Sequence, residues 1–432
     1  MANAISSRLQ RTGPQGRRYP SAPQNIEDLG LPSNLIFDIV LRYIREHGTV
    51  TLSALRRAIK ISIPVADAVF QRLRQQRMVE VQGMTGQDYV FSLVSSARQQ
   101  ASESLSLTRY AGPAPVPLAQ YTQLVRAQRT MLRPTREDLR TAMGELVLND
   151  QILDQLGPAV TSGRPIFLYG PSGNGKTSVI VRLPLLFGDE IFVPYCVEVD
   201  GHIISVFDPA VHIPSEDPDH EEGLDTRWVR CRRPCVIAGG ELVMESLSVR
   251  MDQGAGVYAA PLQMKAANGI LLIDDFGRQA MEPRDLFNRW MMPLDTRADY
   301  LSLLHGFTFQ IPFEVTLVFS TNLRPVDLVD EAFIRRVPNK IYLGPIEPER
   351  FDQIFEGVLV RHKLPYDPEM GECLRRLCKK HGAPDLRGCY PGDICEIMAA
   401  MASYDRKPFV VSEENLARAT ELYFMHQFTA NA

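Results

Sequence analysis

Eight consecutive residues, Gly170-Pro171-Ser172-Gly173-Asn174-Gly175-Lys176-Thr177, have the types and spacing to hold phosphate. The glycines let backbone N–H groups turn inward on an anion. Lys176 reaches the β- and γ-phosphates, Thr177 offers a hydroxyl to Mg²⁺, and Ser178 follows in the first helical turn. Downstream, the apolar run Gly269-Ile270-Leu271-Leu272-Ile273 ends in Asp274-Asp275. Asp274 is placed to hold Mg²⁺ through water, and Asp275 to orient or activate an attacking water. A third run, residues 315–320, ends in Thr321-Asn322, whose amide can bond that water or the γ-phosphate. These residues point to a nucleoside triphosphate and its hydrolysis.

Such groups work only if several strands deliver them to one edge. Near-continuous apolar runs are the mark of strands buried in a parallel sheet, and ligands lie at the carboxyl ends of such strands. Pro165-Ile166-Phe167-Leu168-Tyr169 reads as the strand before the phosphate loop, with a helix over 178–183 after it whose dipole adds positive potential. A fourth run, Lys340-Ile341-Tyr342-Leu343, follows Asp330-Glu331-Ala332-Phe333-Ile334-Arg335-Arg336.

In this order the motifs resemble the AAA+ ATPases over residues 135–432. The resemblance implies Walker A at 170–177, Walker B at Asp274 and Asp275, sensor 1 at Asn322 and an arginine finger at Arg335 with Arg336. It further implies ATP with Mg²⁺ and a ring, expected to be hexameric, in which the finger acts on a neighbour's ATP. Residues 330–343 are similar to the katanin and spastin branch. So is Gly388-Cys389-Tyr390-Pro391-Gly392-Asp393-Ile394, which implies nucleotide contacts for Gly392 and Asp393 in place of a sensor-2 arginine, leaving Arg387 unassigned. Two features depart from the family. Asp275 stands where Glu is usual, one methylene shorter, and about ninety residues separate the phosphate loop from Asp274. Residues 300–313 read as an inserted hairpin of the kind found in the MoxR and magnesium-chelatase branches. Tyr258 follows a Gly-rich segment and is either a pore-loop aromatic or a core residue.

The remainder of the chain bounds the reading. It has 432 residues, 45% hydrophobic and 23% charged, a composition of ordinary globular protein. No apolar run is long enough to span a membrane and no secretory h-region is present, so a cytoplasmic location is expected. Seven cysteines are too sparse for a disulfide framework, and their spacings fit core or surface thiols better than zinc ligands. Residues 1–135 carry 17 Lys and Arg against 8 Asp and Glu, the rest 30 against 43. The basic part invites an anionic partner, or places charge on solvated faces.

Residues 1–30 read as a disordered basic leader. Three amphipathic helices and a strand pair over 31–104, with a turn at Gly83-Met84-Thr85-Gly86, resemble a winged helix-turn-helix domain. Asp67, Gln71, Arg74, Gln75 and Arg77 of its third helix would face outward, toward DNA or protein. Residues 105–134, with Gly112-Pro113-Ala114-Pro115-Val116-Pro117, read as a stiff linker. An α/β P-loop core of three layers over 135–346 and a helical lid over 347–432, with a final helix from about 413 to 427, complete the expectation. The function expected is an ATPase ring that remodels or assembles a protein partner. The chain is also similar to predicted chaperone-like ATPases associated with pilus assembly. A DNA motor or loader, and an assembly switch with little turnover, are the alternatives.

Overall fold

A computed structural model describes residues 11–12, 18–215, 223–328 and 331–424. Much of the expected leader, residues 216–222, Asp330 and the end of the expected last helix lie outside these residues. Among the described residues, no helix is long and apolar enough to cross a membrane. The chain divides into two compact units, one of residues 1–130, 187–271 and 284–316, the other of 131–186, 272–283 and 317–432.

The first unit begins with helices α1 (Ser33–His47), α2 (Leu52–Ile59) and α3 (Ile63–Gln75) and strands β1 (Thr49–Thr51), β2 (Val79–Thr85) and β3 (Asp88–Leu93), which pair antiparallel in the order β1-β3-β2. Local chemistry sets the boundaries. The Thr51 side chain caps α2 by accepting from the Ala54 N–H, and Pro64 sits in the first turn of α3. Val69, Phe70 and Leu73 are buried, whereas Asp67, Arg72, Arg74, Gln75 and Arg77 are exposed. The hairpin is tighter than expected, because residues 83–85 remain in β2 and the reversal falls at Gly86-Gln87.

Two expectations are corrected here. The described end of the leader is packed, with Leu29 fully buried in the same core as α1–α3. Residues 105–134 are not a free linker either. Val116–Pro117 is the edge strand of a five-stranded sheet, parallel to Cys196–Val199, and the helix Leu118–Ala127 buries Tyr121, Leu124 and Val125. The prolines limit the strand to an edge rather than preventing it.

The long insertion explains this packing. Arg227 is buried beside Asp225 at 2.8 Å and donates to the carbonyls of Leu29 and Pro115. Arg233, also buried, pairs with Asp189 at 2.7 Å and donates to the carbonyls of Gln128 and Asn268. Each guanidinium ties the insertion to the N-terminal part, and removing either would take the charge partner from a buried carboxylate and a donor from buried carbonyls. Residues 135–346 are therefore not one continuous core. Tyr258 is a core residue, 1% exposed, whose hydroxyl accepts from the Leu304 N–H.

The second unit holds α4 (Arg136–Met143), α5 (Asp150–Ser162), β4 (Ile166–Tyr169), α6 (Lys176–Ile180), the last two residues of β5 (Ile270–Ile273), all but the first residue of β6 (Thr316–Thr321), α7 (Glu331–Arg336) and β7 (Asn339–Tyr342). Its strands lie in the order β5-β6-β4-β7, with β6 and β7 parallel to β4. Helices α8 (Pro348–Arg361), α9 (Pro368–Lys380), α10 (Tyr390–Tyr404) and α11 (Glu413–Tyr423) share one apolar core around Phe351, Phe355, Ile394 and Leu416. Pro184 lies just beyond α6, which ends at Ile180, earlier than the expected 183.

Candidate nucleotide-binding site

Strand β4 buries Ile166, Phe167 and Leu168 completely and leads directly into the phosphate loop. The loop turns at Gly170, whose φ is 142° and where a Cβ would stand 2.1 Å from the Leu343 carbonyl oxygen. Gly173, at φ 82°, leaves no room for a Cβ beside Cys389 Sγ. Glycine is required at both points for close approach as well as for conformation.

Lys176 is 7% exposed and begins α6. Its ammonium donates to Gly170 O at 2.9 Å, Pro171 O at 3.0 Å and Asn322 Oδ1 at 2.6 Å. An ammonium has three N–H donors, so all are used. Burial lowers its pKa, the Asp274 and Asp275 charges oppose that shift, and Arg387 adds to it.

Thr177 Oγ1 donates to Asp274 Oδ2 at 2.8 Å, bringing the loop and the end of β5 together. The Asp275 N–H donates to Asp274 Oδ1 at 3.0 Å, and Asn322 Nδ2 donates to Asp275 Oδ1 at 3.3 Å. Asp275 has φ 47°, a left-handed conformation uncommon for a residue with a Cβ. The turn after β5 holds it there. Gln279 donates to Asp274 O and accepts from the Gly277 N–H, both at 2.8 Å, while Phe276 bonds to β6 through the Ser320 carbonyl and the Thr321 hydroxyl.

Lys176, Thr177, Asp274, Asp275 and Asn322 thus face one cleft of about 690 Å³. Ser172, Gly173, Asn174, Gly175 and Ser178 line it as well, as do residues 145–148 and Ile354, Gly357 and Val360 of α8. Gly170 and Pro171 contribute carbonyls to Lys176 from the back of the loop.

Other expected residues lie elsewhere. Gly392 and Asp393 are outside the cleft lining, and Asp393 accepts from the Tyr423 hydroxyl at 2.8 Å, a bond within the lid. Gly388 and Cys389 line the cleft in their place. Arg387, left unassigned on the sequence, donates to Ser172 Oγ at 3.4 Å. Arg335 is exposed at the end of α7, and Arg336 donates to Ala332 O within that helix; neither lines the cleft. Gln279 and the 145–148 wall have no spacing signal that would have disclosed them. Among the described residues, no group of three or more His, Cys, Asp or Glu side chains is gathered to hold a metal ion.

Residues 347–422 match a family described as a domain of unknown function, DUF8689. No curated protein matches the chain. Among solved structures, a point mutant of Thermotoga maritima RuvB is similar at 13% identity and TM-score 0.39, over 67% of this chain and 73% of that one. A complex of magnesium chelatase subunits BchI and BchD gives 18%, 0.32, 68% and 92%, and NtrX from Brucella abortus 12%, 0.40, 83% and 62%. The parallel strands, the phosphate loop after β4, the paired carboxylates after β5 and the helices that follow make the second unit a mixed α/β fold with a phosphate loop at the end of a sheet strand.

Proposed function

We propose that this protein binds ATP with Mg²⁺ in the cleft beside Lys176, hydrolyses it, and uses the cycle in an oligomeric ring to remodel a protein partner. The observation that carries the reading is the convergence of Lys176, Thr177, Asp274, Asp275 and Asn322 within hydrogen-bonding distance at one edge of the sheet. The cleft volume suits a nucleotide.

Loop N–H groups and Lys176 hold the phosphates, and Lys176 exchanges one of its present acceptors for a phosphate oxygen. Thr177 Oγ1 and Asp274 Oδ2 are hard oxygen ligands already 2.8 Å apart, a donor set that fits Mg²⁺. When bound, that ion would neutralise charge on the β- and γ-phosphates. Asp275 accepts the proton of the attacking water, and Asn322 orients that water. Arg335 and Arg336, exposed or partly exposed and away from this subunit's own cleft, are suited to a neighbour's ATP.

A protein substrate is favoured by the hairpin of Ala298–Ser302 and Thr308–Pro312, where Tyr300, Leu304 and Phe307 are 47, 77 and 41% exposed. Such a tip suits unfolded apolar segments better than phosphate. The second reading is a DNA motor in which α1–α3 and β1–β3 act as a winged helix, favoured by the exposed Arg72, Arg74 and Arg77. Steady-state ATP turnover with and without duplex at low and moderate salt separates the two. Salt-sensitive stimulation by DNA supports the motor, turnover indifferent to DNA supports protein remodelling, and absence of turnover in every condition rejects both.

A further inference from the structure

Three successive residues of the phosphate loop meet the three residues that precede α10. Arg387 donates to Ser172 Oγ at 3.4 Å, the Cys389 N–H to Gly173 O at 2.9 Å, and the Gly388 N–H to Asn174 Oδ1 at 3.3 Å. Asn174 is the member with a second hold. Its side chain is 7% exposed, and Nδ2 donates to Gly344 O at 2.7 Å, with Leu343 O at 3.4 Å, just beyond β7. One buried amide therefore joins the loop, the end of the sheet and the lid.

The lid behaves as one packed body, since α8 and α10 share a core through Phe355 and Ile394. Fixing the segment before α10 therefore also fixes Ile354, Gly357 and Val360 of α8, which line the cleft. We propose that Asn174 is a positioning residue that latches the lid to the phosphate loop, so that this wall stands in place before a nucleotide arrives. The proposal rests on the reading of the cleft as a nucleotide site. Preorganisation of this kind lowers the ordering cost of binding. It acts through the α8 wall, a part of the cleft that the residues assigned to phosphate and Mg²⁺ do not supply.

The test compares two probes on the full chain, ATP and inorganic tripolyphosphate, each with Mg²⁺. Asn174→Ala should weaken ATP binding roughly tenfold, the loss of about two neutral hydrogen bonds, and weaken tripolyphosphate binding by much less. Equal weakening of both would mean that Asn174 only shapes the loop, and no change in either would mean that there is no latch; each result overturns the proposal. A parent protein that binds tripolyphosphate but not ATP would instead contradict the nucleotide reading. Amide exchange decides independently of affinity and of whether the variant folds. The Gly388 and Cys389 amides of the empty parent should exchange slowly, and rapid exchange at both overturns the latch.

Discussion

The Lys176 ammonium donates to Asn322 Oδ1 at 2.6 Å, closer than to either loop carbonyl. The loop thus holds its cation through the residue expected to contact the attacking water or the γ-phosphate, and through Asn322 Nδ2 the link extends to Asp275. Phosphate must compete for Lys176, and in doing so it frees Asn322.

Removal of the cation should be decisive for binding. Lys176→Ala should weaken ATP about a hundredfold or more, as expected for loss of charge-assisted bonds in a buried site. Titration with a fluorescent ATP analogue checks this, and affinity within threefold of the parent rules out the assigned role.

Asn322→Ala separates binding from chemistry. It removes a competing acceptor from Lys176 and the group that orients water, so ATP should bind at least as tightly while turnover falls about 10- to 100-fold. A matched loss in both quantities would assign Asn322 to ground-state binding instead.

The arginines of α7 should matter only between subunits. Arg335→Ala with Arg336→Ala should lower turnover by roughly 10³ and leave ATP affinity unchanged. Turnover per subunit in the parent should also rise with protein concentration; rates independent of concentration and of both arginines would remove the ring from the mechanism.

Gly170→Ala tests the backbone geometry. With φ at 142° and a Cβ forced to 2.1 Å from Leu343 O, it should cost about 3 kcal/mol of stability. Thermal unfolding of the parent and variant measures this, and an unchanged midpoint would mean that the loop is looser than it stands here.

The phosphate loop, the paired carboxylates and Asn322 were legible because each terminates an apolar run, and buried strands of this kind must place their ends at one edge. Arg387 with Ser172, and Gly388 with Asn174, were not legible as partners, since 215 and 214 positions of chain separate them and only the folded lid brings them near. Prolines misled the reading of 105–134. Their sequence says only that they cannot donate, and an edge strand satisfies that condition as well as a linker does. The division into units was hidden for a related reason: nothing in the sequence around Arg227 and Arg233 discloses their carbonyl partners Leu29, Pro115 and Gln128, which lie more than 100 positions away.

Steady-state hydrolysis of ATP by the parent, measured beside Asp275→Asn with ATP binding determined for both, tests the central claim most directly. Measurable turnover in the parent, reduced 10²-fold or more in the variant with affinity retained, is the predicted result. Equal turnover in the two proteins would contradict Asp275 as the base, and no turnover in the parent would contradict hydrolysis itself.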